Sequence, residues 1–252
     1  VPVTVLEAPP ISVFGIRAYR KDLTGLHPIG DVISAQPKVL GKLGMKKEPQ
    51  AKGLKLEEIE KRADELARVS VLALTNCDAT GMSRKSGDVV EISIGGDVKE
   101  QLEYAKTVLG KDVSIRDVMS EGEWIDVLSV TKAKGWQGAI KRFGVSKQRR
   151  KATGRIRHVG TLGPWHPQYV MYTARQAGQT GYHRRTQYNN RIMIIGNDPK
   201  INPRGGFPHY GIATADYVAV KGSVPGIQKR FVFLRKAIRK SDAPKKPQIL
   251  WS

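Results

Sequence analysis

Apolar positions recur along the chain with two different periods, and the switches between them mark out candidate elements. Ile11-Ser12-Val13-Phe14-Gly15-Ile16-Arg17-Ala18-Tyr19 is largely apolar, follows the Pro9-Pro10 break, and predicts a strand that ends before a turn at Thr24-Gly25. Asp31 to Leu40 predicts a weaker strand, followed by a basic, glycine-bearing loop through Lys42, Lys46 and Lys47. Between Leu54 and Val69 the period lengthens, and Leu56, Ile59, Ala63, Leu66 and Ala67 recur at helical spacing. Glu57, Glu58 and Glu60 come early and Arg68 late, as the helix dipole favours, so this segment predicts an amphipathic helix with a solvated charged face. Val69 to Thr75 and Val89 to Ile94 return to strand patterning, and Gly95-Gly96 stops the second run. Asp97 then predicts the cap of a helix carrying Val98, Leu102, Ala105, Val108 and Leu109 and ending at Gly110. Ser114 opens a short helical turn, and Glu123 to Thr131 predicts one more strand.

Strand patterning resumes at Arg191 to Gly196, then breaks in the loop Asn202-Pro203-Arg204-Gly205-Gly206-Phe207-Pro208. Tyr217 to Gly222 and Lys229 to Leu234 flank Ser223-Val224-Pro225-Gly226 and predict a hairpin. Short strands on both sides of a long polar segment predict a mainly β protein with α insertions, an α+β chain built on a barrel or closed sheet. Three regions follow: 1–126, the first part of the barrel with a helical insertion at about 54–110; 127–197, a basic extended loop; and 198–252, the closing strands and tail.

Charge changes the picture most in the middle region. Val127 to Asn197 contains no Asp or Glu, yet it carries fourteen cations: Lys132, Lys134, Lys141, Arg142, Lys147, Arg149, Arg150, Lys151, Arg155, Arg157, Arg175, Arg184, Arg185 and Arg191. A block of one sign repels itself, so it needs a polyanion to neutralise it. Glycines at Gly135, Gly138, Gly160, Gly163, Gly178 and Gly181 let backbone approach a partner closely. Trp136, Trp165, Tyr182 and the Arg planes are groups that stack on bases, and bidentate Arg grips phosphate. Trp136 is open to two readings, barrel core or base stacking; Trp165, held between Gly163-Pro164 and Pro167, reads as a contact at a loop tip. Free of RNA, the stretch is expected to be poorly ordered because its charges repel and its rings lack partners.

The whole chain of 252 residues has a net charge of +20, which points to nucleic acid or an anionic surface, while 40% hydrophobic content points to a folded protein. Cys77 is the sole cysteine, which excludes an internal disulfide framework and a thiolate cluster, fits a reducing intracellular setting, and reads as a small buried residue. No apolar run reaches membrane-spanning length, and neither a signal-peptide pattern nor an initiating Met opens the chain. His27, His158, His166, His183 and His209 form no metal-ligand pair with a nearby carboxylate. Phosphate-binding Gly-Lys-Ser/Thr loops, Gly-x-Ser-x-Gly elbows and paired carboxylates are also lacking. Neither catalysis nor a small-molecule substrate or cofactor is expected.

Four ordered segments carry a family resemblance: Val130-Thr131-Lys132-Ala133-Lys134-Gly135-Trp136-Gln137-Gly138, Gly163-Pro164-Trp165-His166-Pro167, Gly178-Gln179-Thr180-Gly181-Tyr182-His183-Arg184-Arg185-Thr186, and Gly205-Gly206-Phe207-Pro208-His209-Tyr210-Gly211. Together with Glu7-Ala8-Pro9-Pro10 and Lys221-Gly222-Ser223-Val224-Pro225-Gly226, they resemble the large-subunit ribosomal protein L-three family in its archaeal and eukaryotic form. The resemblance implies a translation-protein-type β-barrel, SH3-like or elongation-factor-like, with a long basic loop. It implies cytoplasmic residence in the large ribosomal subunit and binding near the 3′ end of 23S rRNA. Early action in subunit assembly and a reach toward the peptidyl transferase centre are implied as well, with Trp165 at the tip. Neighbours L-fourteen and L-twenty-four-e are implied, as is a chain lacking the family's segments at both ends. The RNA-binding candidates are the fourteen cations together with Trp136, His158, Trp165, His166, Gln179, Tyr182, His183, Arg204 and His209. A basic RNA chaperone or RNA-modifying protein outside the ribosome is the alternative, and a DNA-compacting protein is a third class.

Overall fold

Residues 1–34, 41, 55–84, 86–152, 154, 156–240 and 247 are described by a computed structural model. The basic loop expected at Lys42, Lys46 and Lys47, and the Ala35–Leu40 half of the weak strand, lie outside them. In chain order the strands are β1 Val3–Glu7, β2 Ile11–Asp22, β3 Gly25–Ile33, β4 Arg68–Leu74, β5 Val89–Ser93, β6 Asp112–Val113, β7 Trp124–Val130, β8 Trp136–Gln137, β9 Gly178–Gln179, β10 Arg184–Gly196, β11 Tyr217–Lys221 and β12 Phe233–Lys236. Among the described residues the helices are α1 Leu56–Lys61, α2 Val98–Val108, α3 Ile115–Val118 and α4 Ala139–Phe143. The protein is mainly β with few helices. It divides into two compact units, one of Val1–Ile125, Asn189–Ser223 and Lys236–Ser252, the other of Asp126–Tyr188 and Val224–Arg235.

Within the first unit, β2 is central to an antiparallel sheet of order β3-β2-β4-β5, with β6 pairing to the start of β2. The register shifts between Val13 and Gly15, where β2 lies against β4. One face packs Val13, Ile16, Ala18, Val69, Val71 and Ala73 against Ile59 of α1 and Leu102 and Ala105 of α2. The other face buries Phe14, Leu72 and Leu74 against Ile33. Farther along β2 that second face becomes polar. Arg17 donates from Nε and Nη2 to the two carboxylate oxygens of Asp31 at 2.7 and 2.6 Å, and Tyr19 Oη donates to Glu91 at 2.7 Å. The hydrogen bonds that Arg17 donates to Asp31 push the guanidinium pKa still higher than its ordinary value.

α1 corrects the expectation of one helix from Leu54 to Val69. It ends at Lys61, a 3₁₀ turn follows at Ala63–Glu65, and Arg68 already belongs to β4. Apolar spacing continued past Lys61, but the Ala67 N–H donates to Tyr19 O at 2.8 Å, and sheet pairing with β2 wins over helix propagation. α2 matches its predicted cap. The Asp97 N–H donates to Glu100 at 3.3 Å, and Gly110 takes φ +77° beyond the helix end. Buried Gln101 on α2 ties the layer together, accepting from Val69 N–H at 2.9 Å and donating to Gly96 O at 2.7 Å. Cys77 is buried, as expected.

The other five-stranded sheet has the order β1-β11-β10-β7-β12. This order overturns the predicted hairpin around Ser223-Val224-Pro225-Gly226: β11 pairs with β1 and β10, so neither of its edges is open to the next strand. Strand structure also starts at Phe233 rather than Lys229, and β10 begins at Arg184, inside the cationic stretch, rather than at Arg191. Neither five-stranded sheet closes on itself among the described residues.

A loop in the first unit is fastened to β1 by one carboxylate. Glu7 accepts from the backbone N–H of Thr214 at 2.7 Å and of Ala215 at 2.8 Å, and from Tyr210 Oη. Asn202 pins Ala213 from both sides, donating to its carbonyl at 3.0 Å and accepting its N–H at 2.9 Å. Burial, then the bond to Glu7, pushes the Tyr210 phenol above its ordinary pKa.

Candidate nucleic-acid interface

The second unit holds sixteen Lys and Arg side chains against a single carboxylate, Asp126. That carboxylate is fully buried and meets Arg235 Nη2 at 3.2 Å. No acid of this unit therefore reaches its surface, and the exposed charge is all of one sign.

Backbone bonds build the root of the cationic stretch. The outgoing arm after β7 meets the returning arm before β10: Thr131 N–H donates to His183 O at 3.0 Å, Lys134 N–H to Thr180 O at 2.9 Å, and Thr180 N–H to Gly135 O at 2.9 Å. β8 pairs with β9 through Trp136↔Gln179 and Gln137↔Gly178. The approach is close enough to require a glycine. A Cβ on Gly181, whose φ is +73°, would lie 2.0 Å from Lys132 O. The root therefore has internal order that charge repulsion alone did not predict. α4 follows on the outgoing arm and ends at Gly144 in the left-handed region.

On this frame the candidates separate by environment. Lys132, Lys134, Lys141, Lys147, Arg149, Arg150, Lys151, Arg157, His158, His166, Arg175, Gln179, Arg184 and Arg185 are exposed. Trp136 is 75% exposed and Trp165 is 82% exposed, so the core reading of Trp136 is overturned. The ring stands on a two-residue ribbon too narrow to bury it. Arg142 is half-buried and serves the frame: its Nη1 donates to Gln176 O at 3.0 Å, and it crosses beside Gly178, where a Cβ would come within 2.6 Å. His183 is half-buried, and its N–H donates to Thr131 Oγ1 at 3.2 Å. Arg155 lies outside the described residues.

Three candidates belong to the first unit instead. Arg191 is half-buried, donates to Gly122 O at 3.3 Å, and sits 5.7 Å from the Trp124 ring centroid. Arg204 and His209 are exposed on the loop that Glu7 and Asn202 hold, with His209 at φ +59°.

Val159 to Ala174 contains no charged side chain, although cations bracket it. Leu162, Trp165, Tyr169, Val170 and Tyr172 are exposed there, Tyr172 almost fully. Exposed apolar groups gathered on one segment mark an interaction surface. Three cations of the second unit lay outside the acid-free stretch and were not singled out from the sequence: Lys229, Arg230 and Arg235, on the Val224–Arg235 segment of the same unit. That segment is itself free of acids, which was the available signal.

Among the described residues no group of three or more His, Cys, Asp or Glu could hold a metal ion. Nor is any described helix long and apolar enough to cross a membrane. The features present define a class, a mainly β protein whose cationic, aromatic-bearing surface is suited to a polyanion.

The sequence model of the family described as Ribosomal protein L3 matches residues 1–250, and the chain belongs to that family. It is similar to proteins named large ribosomal subunit protein uL3 from several archaea. The uL3 of Methanothrix thermoacetophila is 46% identical over 258 residues, covering 100% of this chain and 77% of that protein. That of Methanococcus aeolicus is 46% identical over 94% of this chain and 72% of its own length, and that of Methanocaldococcus jannaschii is 44% identical over 98% and 74%.

Proposed function

We propose that the chain is a structural constituent of the large ribosomal subunit and that its second unit is the rRNA-binding surface. Family membership makes it a ribosomal structural protein rather than an enzyme, acting in translation. The observation that carries the RNA assignment is the charge separation, one buried and paired carboxylate against sixteen cations, with Trp136 and Trp165 exposed among them. Such a surface releases counterions from packed phosphates and fixes the orientation of the helices it touches, while the rings take up unpaired bases. Arg142 contributes by holding the two arms together, and the remaining exposed cations by meeting phosphate.

The finer reading follows the resemblance. Residues 127–197 act as the RNA-penetrating segment between barrel halves at 1–126 and 198–252, in a translation-protein-type barrel. The chain binds near the 3′ end of 23S rRNA, acts early in assembly, and carries Trp165 toward the peptidyl transferase centre. L-fourteen and L-twenty-four-e are its neighbours. Support comes from the uncharged, exposed Val159–Ala174 segment, which suits a crowded site where bases rather than phosphates are presented.

Crosslinking in native lysate, with sequencing of the bound RNA and mapping of the joined peptides, tests this reading. Crosslinks from Lys132 to Arg191 onto large-subunit rRNA near its 3′ end are the expected result. Scattered RNA, or DNA, would overturn it in favour of an RNA chaperone or a compacting protein.

A further inference from the structure

We infer that Tyr182, backed by Arg230, forms a built stacking site for an unpaired nucleobase, distinct from the phosphate contacts of the exposed cations. The inference rests on the RNA-binding reading above and specifies what one part of that surface takes.

The Arg230 guanidinium lies 5.3 Å from the centroid of the Tyr182 ring. Its Nη1 is buried and has no hydrogen-bond partner among the described residues, and the guanidinium lies over the ring's π face. An Arg contacting phosphate would instead present its N–H fork to solvent. The ring is nevertheless 62% exposed. One side is thus occupied by a cation and the rest is open.

Backbone conformation fixes this arrangement from both segments. Tyr182 has φ +57° and Lys229, next to Arg230, has φ +65°, both in a region that side-chain-bearing residues seldom enter. Tyr182 N–H donates to Thr131 O at 3.3 Å, which holds the residue in the root ladder. On the other segment Gly226 has φ +123° and leaves no room for a Cβ, which would come within 2.9 Å of Ser129 Oγ. A left-handed residue thus stands in one member of the cation–ring pair and immediately before the other, with a close-packed glycine on each segment.

A base suits the open side. Stacking needs only a flat π surface, a guanidinium behind the ring draws electron density from it, and Lys229 is exposed nearby in sequence to meet the attached phosphate. A duplex presents no free base face, so the site selects single strands.

The whole chain tests this with two probes, a single-stranded RNA of about twelve nucleotides and a duplex of the same length. Tyr182→Leu is expected to weaken single-strand binding about tenfold while duplex binding and the salt slope hold, and Tyr182→Phe to bind like the parent. Arg230→Gln is expected to weaken single-strand binding severalfold without lowering the salt slope, since the guanidinium acts through the ring. Equal losses for both probes with Tyr182→Leu, or a slope lowered by about one with Arg230→Gln, would overturn the inference. If the parent chain binds neither RNA, the RNA-binding reading itself fails.

Discussion

At the scale of single residues, the root of the cationic stretch depends on a glycine and the first unit's loop on a carboxylate. Gly181→Ala places a methyl against Lys132 O and also fixes a side chain at φ +73°. The left-handed conformation alone costs about 1–2 kcal/mol, and the clash adds the loss of neighbouring bonds. Hydrogen exchange is expected to show lost protection at the Lys134 and Thr180 amides, with the β2 and β4 amides unchanged. Tyr210 sets a pH limit on the other unit. Its folded pKa is raised by burial and by Glu7, so the neutral phenol stabilises the fold fully below the unfolded value, and that stability is lost as pH rises from about 10 upward. Tyr210→Phe is expected to lower stability at neutral pH and to flatten the alkaline part of the melting profile. Equal steepness above pH 10 in parent and variant would refute the role given to this phenol.

At the scale of elements, periodicity located segments well and their ends less well. α2 agreed with its pattern at both ends because Asp97 and Gly110 carry local signals that act within one turn. α1 did not, because its end is decided by Tyr19, nearly fifty residues earlier, accepting from Ala67. The strands flanking Ser223-Val224-Pro225-Gly226 had hairpin-like turn chemistry, yet β1 and β10 already occupy both edges of β11. The Val159–Ala174 segment invites a sharper test. Trp165 is exposed and its ring lies edge to face with that of His166 at 6.4 Å. Trp165→Ala is therefore expected to change stability by no more than about 0.5 kcal/mol and, on the proposed placement near the peptidyl transferase centre, to disturb peptidyl transfer or drug response there. A large drop in melting temperature would place this ring in a core instead.

At the scale of the whole molecule, the distribution of charge matters more than its total. The second unit concentrates its cations over a surface without exposed acid, whereas the first mixes signs, as in the Arg17–Asp31 and Lys106–Glu60 pairs at 2.6 and 2.7 Å. Binding through six to ten phosphates would cost on the order of a thousandfold or more in affinity between 50 and 200 mM salt. Titration of the chain with rRNA fragments across that range is expected to give a steep linear fall of log affinity with log salt. A slope near zero would mean that the cationic surface is not what holds RNA. Charge reversal of Lys147, Arg149 and Arg150 together should reduce the slope, while reversal of Arg142 should act mainly by loosening the root.

Charge and periodicity are properties of neighbouring residues, and those the sequence determined by itself: where the acid-free stretch lies, which segments alternate as strands, where α2 is capped, and which ordered motifs mark the family. Pairing and desolvation depend on residues far apart, and only the tertiary structure decided them. It spent Arg142, Arg191 and Arg235 on internal partners, exposed Trp136 on a ribbon too narrow to cover it, and left β11 with no free edge. It also brought Arg230 beneath Tyr182 across forty-eight residues of chain, because a buried guanidinium N–H without a hydrogen-bond partner among the described residues is desolvated most cheaply against an aromatic face.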